Sequence, residues 1–131
     1  ITRRAVMDRM SKEQLSGLPT FSEQISQKVV LQANHFELTV EPSMLEKSGV
    51  LSNGVLTEVL TTVTRQLMMN SGKNLIIEQL LVYYLQAVQV DDTLRIETRI
   101  VRQTRRSAII DFDLYLNLQL VTKATVTLKI N

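Results

Sequence analysis

The residues best placed to do chemistry lie in the segment 48–57, Ser-Gly-Val-Leu-Ser-Asn-Gly-Val-Leu-Thr, which opens a stretch running to Gly72 that is striped with apolar residues. Gly49, Val50, Ser52, Asn53 and Gly54 form a polar, glycine-bracketed entrance to a helix. The first turn of any helix holds backbone N–H groups without intrahelical acceptors and carries the positive end of the macrodipole. Such an entrance therefore reads as a helix N-terminus that faces a ligand. No obvious nucleophile or base sits on it. Elsewhere, Arg102, Arg105 and Arg106 cluster in a polar stretch expected to be a turn, Asp91-Asp92 is turn chemistry, and the lone His35 stands at a strand start.

Composition narrows what this entrance can serve. The 131 residues suffice for one domain with a core, and 44% hydrophobic content is that of a globular chain. Aromatic residues are only 5%, so the core must be mostly aliphatic. The net charge is +2 with acidic and basic residues interleaved, which gives no nucleic-acid footprint. The absence of cysteine excludes disulfides, thiolate metal sites and cysteine nucleophiles, and one histidine cannot build a multi-histidine metal site. No apolar run has the length of a membrane span and no signal peptide is visible. The chain is expected to be intracellular, without a cofactor or metal. It begins at Ile1 rather than Met, which suggests a piece of a larger protein.

The elements that must position the entrance follow from periodicity. Residues 3–15 can form a short amphipathic helix with Val6, Met10 and Leu15 on one side, broken by Gly17 and Pro19. Residues 16–30 are polar without a strong period and read as a connector. Residues 35–40 alternate as a strand, Phe36, Leu38 and Val40 on one face, ended by Pro42. Residues 43–47 can make a helical turn. Ser52 or Asn53 then caps the main helix, whose apolar face is Val55, Leu56, Val59, Leu60, Val63, Leu67 and Met68, with Gly72 as terminator. The period next changes from helical to two. Residues 75–90 read as a long central strand, apolar on both faces, with Tyr83 and Tyr84 divided between the core or a dimer seam and a pocket. Three further strands follow: Leu94, Ile96, Thr98 and Ile100; Ala108, Ile110, Phe112, Leu114 and Leu116; then Leu120, Thr122, Ala124, Val126, Leu128 and Ile130 as inward faces. Short connections predict antiparallel hairpins throughout. A helix with this much apolar circumference needs cover on most of its sides, which a curved antiparallel sheet wrapped around it provides, although pattern alone also admits α+β layouts with one helix on a flat sheet. The order predicts an α+β hotdog fold, a curved antiparallel sheet around one long central helix.

The residues also carry a resemblance. Ser48 to Thr57 resembles the helix entrance of the C-terminal hotdog, thioesterase-like domain of bacterial DRTGG–CBS–hotdog multidomain proteins. Ile77-Glu-Gln-Leu-Leu-Val-Tyr-Tyr-Leu-Gln-Ala-Val-Gln-Val90 resembles the central strand of the same domain. Arg102-Gln-Thr-Arg-Arg-Ser107 and Leu120-Val-Thr-Lys-Ala124 continue the likeness in order, and residues 1–12 are similar to the last strand-to-helix segment of a CBS domain. The resemblance implies that residues 1–30 are the end of a preceding CBS-like domain with a connector and that 31–131 are the hotdog domain. It implies a cytoplasmic homodimer, or a higher oligomer, paired through the sheet edge. It implies acyl-CoA or a related thioester as ligand, beside a helix N-terminus able to polarise the thioester carbonyl.

The same resemblance assigns roles and finds departures. Hotdog enzymes of the 4-hydroxybenzoyl-CoA type carry an Asp three residues before a Gly in this loop, and Glu46 precedes Gly49 by that spacing, so Glu46 is the candidate base or nucleophile. In phenylacetate-type thioesterases a His-Gly-Gly is followed by an acid nine residues after the His. Here Ser52-Asn53-Gly54 stands at the first place and Thr61 at the second, while Glu58 is offset by nearly a turn. Arg105 and Arg106 match a region that binds CoA phosphates in related folds. Three functions follow: an acyl-thioester-binding, regulatory module without efficient catalysis; a thioesterase using Glu46 or a water held near Ser52 and Asn53; or a purely structural dimerisation module.

Overall fold

The computed structural model describes residues 21–32, 35–68 and 74–131. The expected helix over residues 3–15 and the terminator Gly72 lie outside the described residues. Among those described, the helix α1 (Phe21–Lys28) leads into strand β1 (Val29–Leu31), followed by β2 (Phe36–Thr39), a 3-10 turn at Pro42–Met44, the main helix α2 (Asn53–Leu67), and strands β3 (Leu75–Tyr84), β4 (Thr93–Gln103), β5 (Ser107–Leu116) and β6 (Gln119–Ile130). The strands make one six-stranded antiparallel sheet in the order β1-β2-β4-β5-β6-β3. It curves around α2, the hotdog arrangement expected from the element order.

Alternation builds the sheet's inner face. Phe36 and Leu38 on β2, Leu94 and Ile96 on β4, Ala108, Ile110, Phe112 and Leu114 on β5, and Ala124, Val126, Leu128 and Ile130 on β6 are all buried. They share one core with Val55, Leu56, Val59, Leu60 and Val63 of α2. The stretch expected as a polar connector is, from residue 21, a helix and a strand, and Ile25 and Val29 belong to that core. Ile25 and Val29 are too short a pattern to give a readable period.

Three expectations are corrected. The strand from residue 75 stops at Tyr84 and, among the described residues, lies at the sheet's edge, paired only with β6. Residues 85–92 are therefore not a hairpin but a crossing from one side of the sheet to β4. Asp91 N–H donates to Val40 O, and Val40 N–H donates to Asp92 O, at 2.8 Å each, so the crossing ends stitched to the end of β2. In β6 the register shifts by one residue between Leu114 and Tyr115, so that Leu114 pairs with Thr122 and Tyr115 with Leu120. This bulge leaves Val121 buried beside Thr122 and puts Leu120 opposite the outward-facing Tyr115 rather than inward. At the bulge the Val121 carbonyl accepts from both Leu85 N–H and Gln86 N–H, at 2.9 and 3.1 Å.

Across β4, β5 and β6 the outer face of the sheet carries a polar ladder. Arg99 donates to Asp111 at 2.9 Å, Thr125 Oγ1 donates to the other Asp111 oxygen at 2.8 Å, and Lys123 donates to Asp113 at 3.0 Å. The hydrogen bonds from Arg99 and then Thr125 hold the Asp111 carboxyl below its ordinary value. A depressed folded-state value stabilises the fold above the unfolded-state pKa of about 4, and that contribution disappears as pH falls through the folded value. Since Arg99 is largely exposed, the contribution is about 1 kcal/mol or less. Asp111→Asn should therefore lower stability at neutral pH and shallow the acid limb of the stability profile, read by urea unfolding at stepped pH. An unchanged acid limb would contradict the assignment.

Candidate functional site

The loop before α2 is a small closed hairpin. Gly49 N–H donates to Glu46 O and Glu46 N–H donates to Val50 O, both at 2.9 Å, while Leu45 and Leu51 bridge across its base. Gly49 has φ +84°, and a Cβ built on it would stand 3.1 Å from the Ala87 Cβ. Only glycine satisfies both the backbone and the space there. Gly49 O accepts from Val88 N–H at 2.8 Å, which fastens the loop to the segment leaving β3.

Ser52 is the N-cap of α2; its Oγ accepts from Val55 N–H at 3.2 Å, and its carbonyl accepts from Leu56 N–H at 2.9 Å. The amides of Asn53 and Gly54 are left as the first-turn donors without a partner among the described residues. A Cβ at Gly54 would meet nothing within 4 Å, so this side of the helix start is open. Beside it is a cleft of about 330 Å³ lined by Asn53, Leu56, Thr57, Leu80 and Val82. Its walls are therefore the first turn and a half of α2 and the helix-facing side of β3.

Tyr84 closes the polar end. Its hydroxyl donates to Asn53 Oδ1 at 2.9 Å. Burial, and then the negative charge of Glu46, push the Tyr84 hydroxyl above its ordinary value. Glu46 is thus close enough to act electrostatically on the cleft's tyrosine. Thr61, at the place of the phenylacetate-type acid, donates its hydroxyl to Thr57 O at 2.7 Å, and Thr57 does the same to Asn53 O at 2.7 Å. Both hydroxyls are engaged along the helix itself.

The structure gathers Glu46, Gly49, Val50, Ser52, Asn53 and Gly54 around the start of α2. It does not bring Arg105 and Arg106 to them within one chain. These arginines line another cleft, of about 570 Å³, with Lys129, Ile130 and Asn131. Leu75 pairs with Ile130, and Tyr84 with Thr122, so the arginine cleft and the α2 start lie at opposite ends of β3. His35 faces Glu37 at 3.1 Å, away from both. Asp92 accepts from Gln89 N–H at 2.8 Å, the turn role expected of it. Sequence reasoning did not single out Leu80, Val82 or Thr57 and left Tyr84 unassigned. The alternation Leu80, Val82, Tyr84 was the available signal, since residues two apart share a strand face. No group of three or more metal-ligating side chains exists among the described residues, and none of the described helices is long and apolar enough to cross a membrane.

A curved antiparallel sheet around a central helix, with a cleft at the helix start, defines a hotdog protein. Residues 48–117 match the family model of the thioesterase superfamily, and the chain belongs to that family. Among solved structures, a hypothetical thioesterase from Streptococcus pneumoniae TIGR4 with coenzyme A is 23% identical, with a TM-score of 0.67 over 79% of this chain and 84% of that one. A Streptococcus mutans UA159 protein bound to acetyl-CoA is also 23% identical, with a TM-score of 0.67 over 79% of this chain and 87% of that one. A putative thioesterase related to phenylacetic acid degradation, from Ralstonia eutropha JMP134, is 21% identical with a TM-score of 0.69 over 91% and 97% of the two chains. Among curated proteins, the uncharacterised YtoI of Bacillus subtilis is 24% identical over 96 residues. That match takes in 72% of this chain but only 22% of the relative's length.

Proposed function

We propose that this domain binds an acyl-CoA or related thioester at the start of α2 and serves as a regulatory module without efficient catalysis. One observation carries the reading: an uncovered helix N-terminus opens onto a cleft with apolar walls, Leu56, Leu80 and Val82. Free amides suit a carbonyl oxygen and the walls suit an acyl chain. Coenzyme A and acetyl-CoA are bound by two proteins of the same fold, which supports the ligand class. The engagement of the Thr61 hydroxyl along the helix supports weak or absent hydrolysis.

The reading includes a cytoplasmic homodimer through β3. A two-fold pairing centred on the middle of β3 sets the Leu75 end of one copy against the Tyr84 end of the other. The partner's Arg105, Arg106 and Lys129 then approach the α2 start, where they can bind a CoA phosphate group. The resemblance to DRTGG–CBS–hotdog proteins, and a relative several times longer than the match, support a parent in which residues 1–30 carry the end of a CBS-like domain and a connector, whose Ile25 and Val29 pack into the hotdog core, and the hotdog domain reports on a thioester. Titration calorimetry with acetyl-, malonyl- and longer acyl-CoAs tests the ligand. Saturable binding is expected; none by any of them, with the dimer intact, overturns the reading.

A second reading, thioesterase activity, is favoured by the electrostatic reach of Glu46 to Tyr84. A thiol-release assay decides it: activity abolished by Glu46→Gln would assign the base, and no release on any CoA ester would leave binding alone.

A further inference from the structure

Resting on the thioester reading above, we infer that Tyr84 is a positioning residue that turns the Asn53 carboxamide so that its NH2 group donates to the carbonyl oxygen of the bound acyl group. A carboxamide offers one acceptor oxygen and two donor hydrogens on nitrogen. Here the oxygen is taken by the Tyr84 hydroxyl at 2.9 Å, while Asn53 itself lines the cleft. What remains of the side chain for a ligand is Nδ2. This nitrogen joins the open amides of Asn53 and Gly54, so three donors belong to one helix start, and the carboxamide oxygen is turned to the tyrosine rather than to the ligand.

The tyrosine must donate for this to hold, and its surroundings make it donate. Burial and the Glu46 carboxylate both disfavour the phenolate, so the hydroxyl keeps its proton across neutral pH. Asn53 O is separately occupied by Thr57 Oγ1, so the backbone carbonyl is no competing partner for the tyrosine. The two ends of the contact sit on different elements, the first residue of α2 and the last of β3. Tyr84 therefore also links the helix start to the strand that walls the cleft. Removing its hydroxyl frees the carboxamide to rotate and lets its oxygen, as well as its nitrogen, face the ligand.

The chemical consequence is selectivity for an acceptor oxygen on the carbon attached to sulfur. Acetyl-CoA has that oxygen; S-ethyl-CoA is a thioether of the same length without it. The wild-type chain is expected to bind acetyl-CoA about tenfold more tightly than S-ethyl-CoA, the scale of one well-placed hydrogen bond. Tyr84→Phe should reduce this preference to what the two backbone amides alone supply, while S-ethyl-CoA affinity stays the same. It should also raise the infrared carbonyl stretch of bound, carbonyl-labelled acetyl-CoA toward its value in water. Asn53→Ala should lose the same share of the preference, and adding Tyr84→Phe to it should lose nothing more. The wild-type preference should persist through neutral pH and fade only above the ordinary tyrosine range, with no such step in Tyr84→Phe. Equal weakening of both ligands by Tyr84→Phe, or an unchanged preference, overturns the inference and leaves thioester binding standing. Failure of the wild type to bind either compound overturns both.

Discussion

Truncating Phe112 to alanine is expected to destabilise the fold by about 3–5 kcal/mol, among the largest effects available to a single substitution in this chain. Phe112 is fully buried at the middle of β5, and with Phe36 it is one of two phenylalanines in a core built mostly of aliphatic side chains. Its neighbours across the sheet are Thr98 on β4 and Ala124 on β6, both short. The ring therefore fills the space between the sheet's centre and α2 that those two positions leave empty. Neither can swing in to occupy the hole, so the cavity term adds to the lost transfer energy. A domain with about 5–15 kcal/mol in total loses a large share of its stability. Urea unfolding should show a lower midpoint at an unchanged slope. Leu118→Ala is the control, since Leu118 is 93% exposed at the β5–β6 turn and should cost almost nothing. A Phe112 effect no larger than that of Leu118 would contradict the packing described.

The contrast between these two residues also explains what could be read from the sequence. Strict alternation over β5, from Ala108 to Leu114, marks its buried face because each inward position is buried while the outward ones between, Ile109, Asp111 and Asp113, are only half-buried. The α2 stripe and its Ser52 cap were legible for the same reason: local periodicity and local hydrogen bonding decide them. Strand order is a non-local property. The apolar run over β3 reads equally well as a strand covered on both sides and as an edge strand that awaits a partner. Only the pairing of β3 with β6 alone separates the two. The bulge at Val121 was hidden because the two amides that bond there, from residues 85 and 86, lie more than thirty positions away. At the site, the helix entrance was visible in its glycines and cap. The wall opposite was not, because Tyr84 meets Asn53 only through the fold, at a separation of 31 residues. The arginines were assigned to the same ligand by likeness, yet the register of β3 and β6 sets them at the far end of the strand.

That separation gives the second large expected effect. If the proposed dimer pairs through β3 and shares its thioester site, replacing Leu81 and Tyr83 together with lysine should leave the chain folded, make it monomeric, and weaken acyl-CoA binding. Both side chains are about half exposed, 46% and 55%, so the isolated fold loses little when they change. With Ile76 and Leu85 they form an apolar margin along an edge strand of ten residues, whose outer backbone groups have no strand partner among the described residues. Natural edges of this length are protected by lysine, proline or a covering loop. β3 contains neither lysine nor proline, and its one irregularity falls between Ile77 and Gln79, outside the Leu80–Tyr84 half. The opposite edge, β1, is protected simply by being three residues long. A second copy of β3 satisfies the open backbone and covers the margin at once. Two lysines per chain, four across the two-fold, forfeit that burial and set like charges together. Dimerisation should weaken by about 100-fold or more, measurable by sedimentation across a concentration series. Salt should restore part of the affinity by screening the added charges, but not the part lost with the apolar surface. Acyl-CoA binding should fall with the dimer because the helix start of one chain would be left without the partner's Arg105, Arg106 and Lys129. A variant that stays dimeric would refute the edge as the interface. A monomer that binds acyl-CoA at wild-type strength would refute the shared site while leaving the cleft between α2 and β3 as the place where the thioester is held.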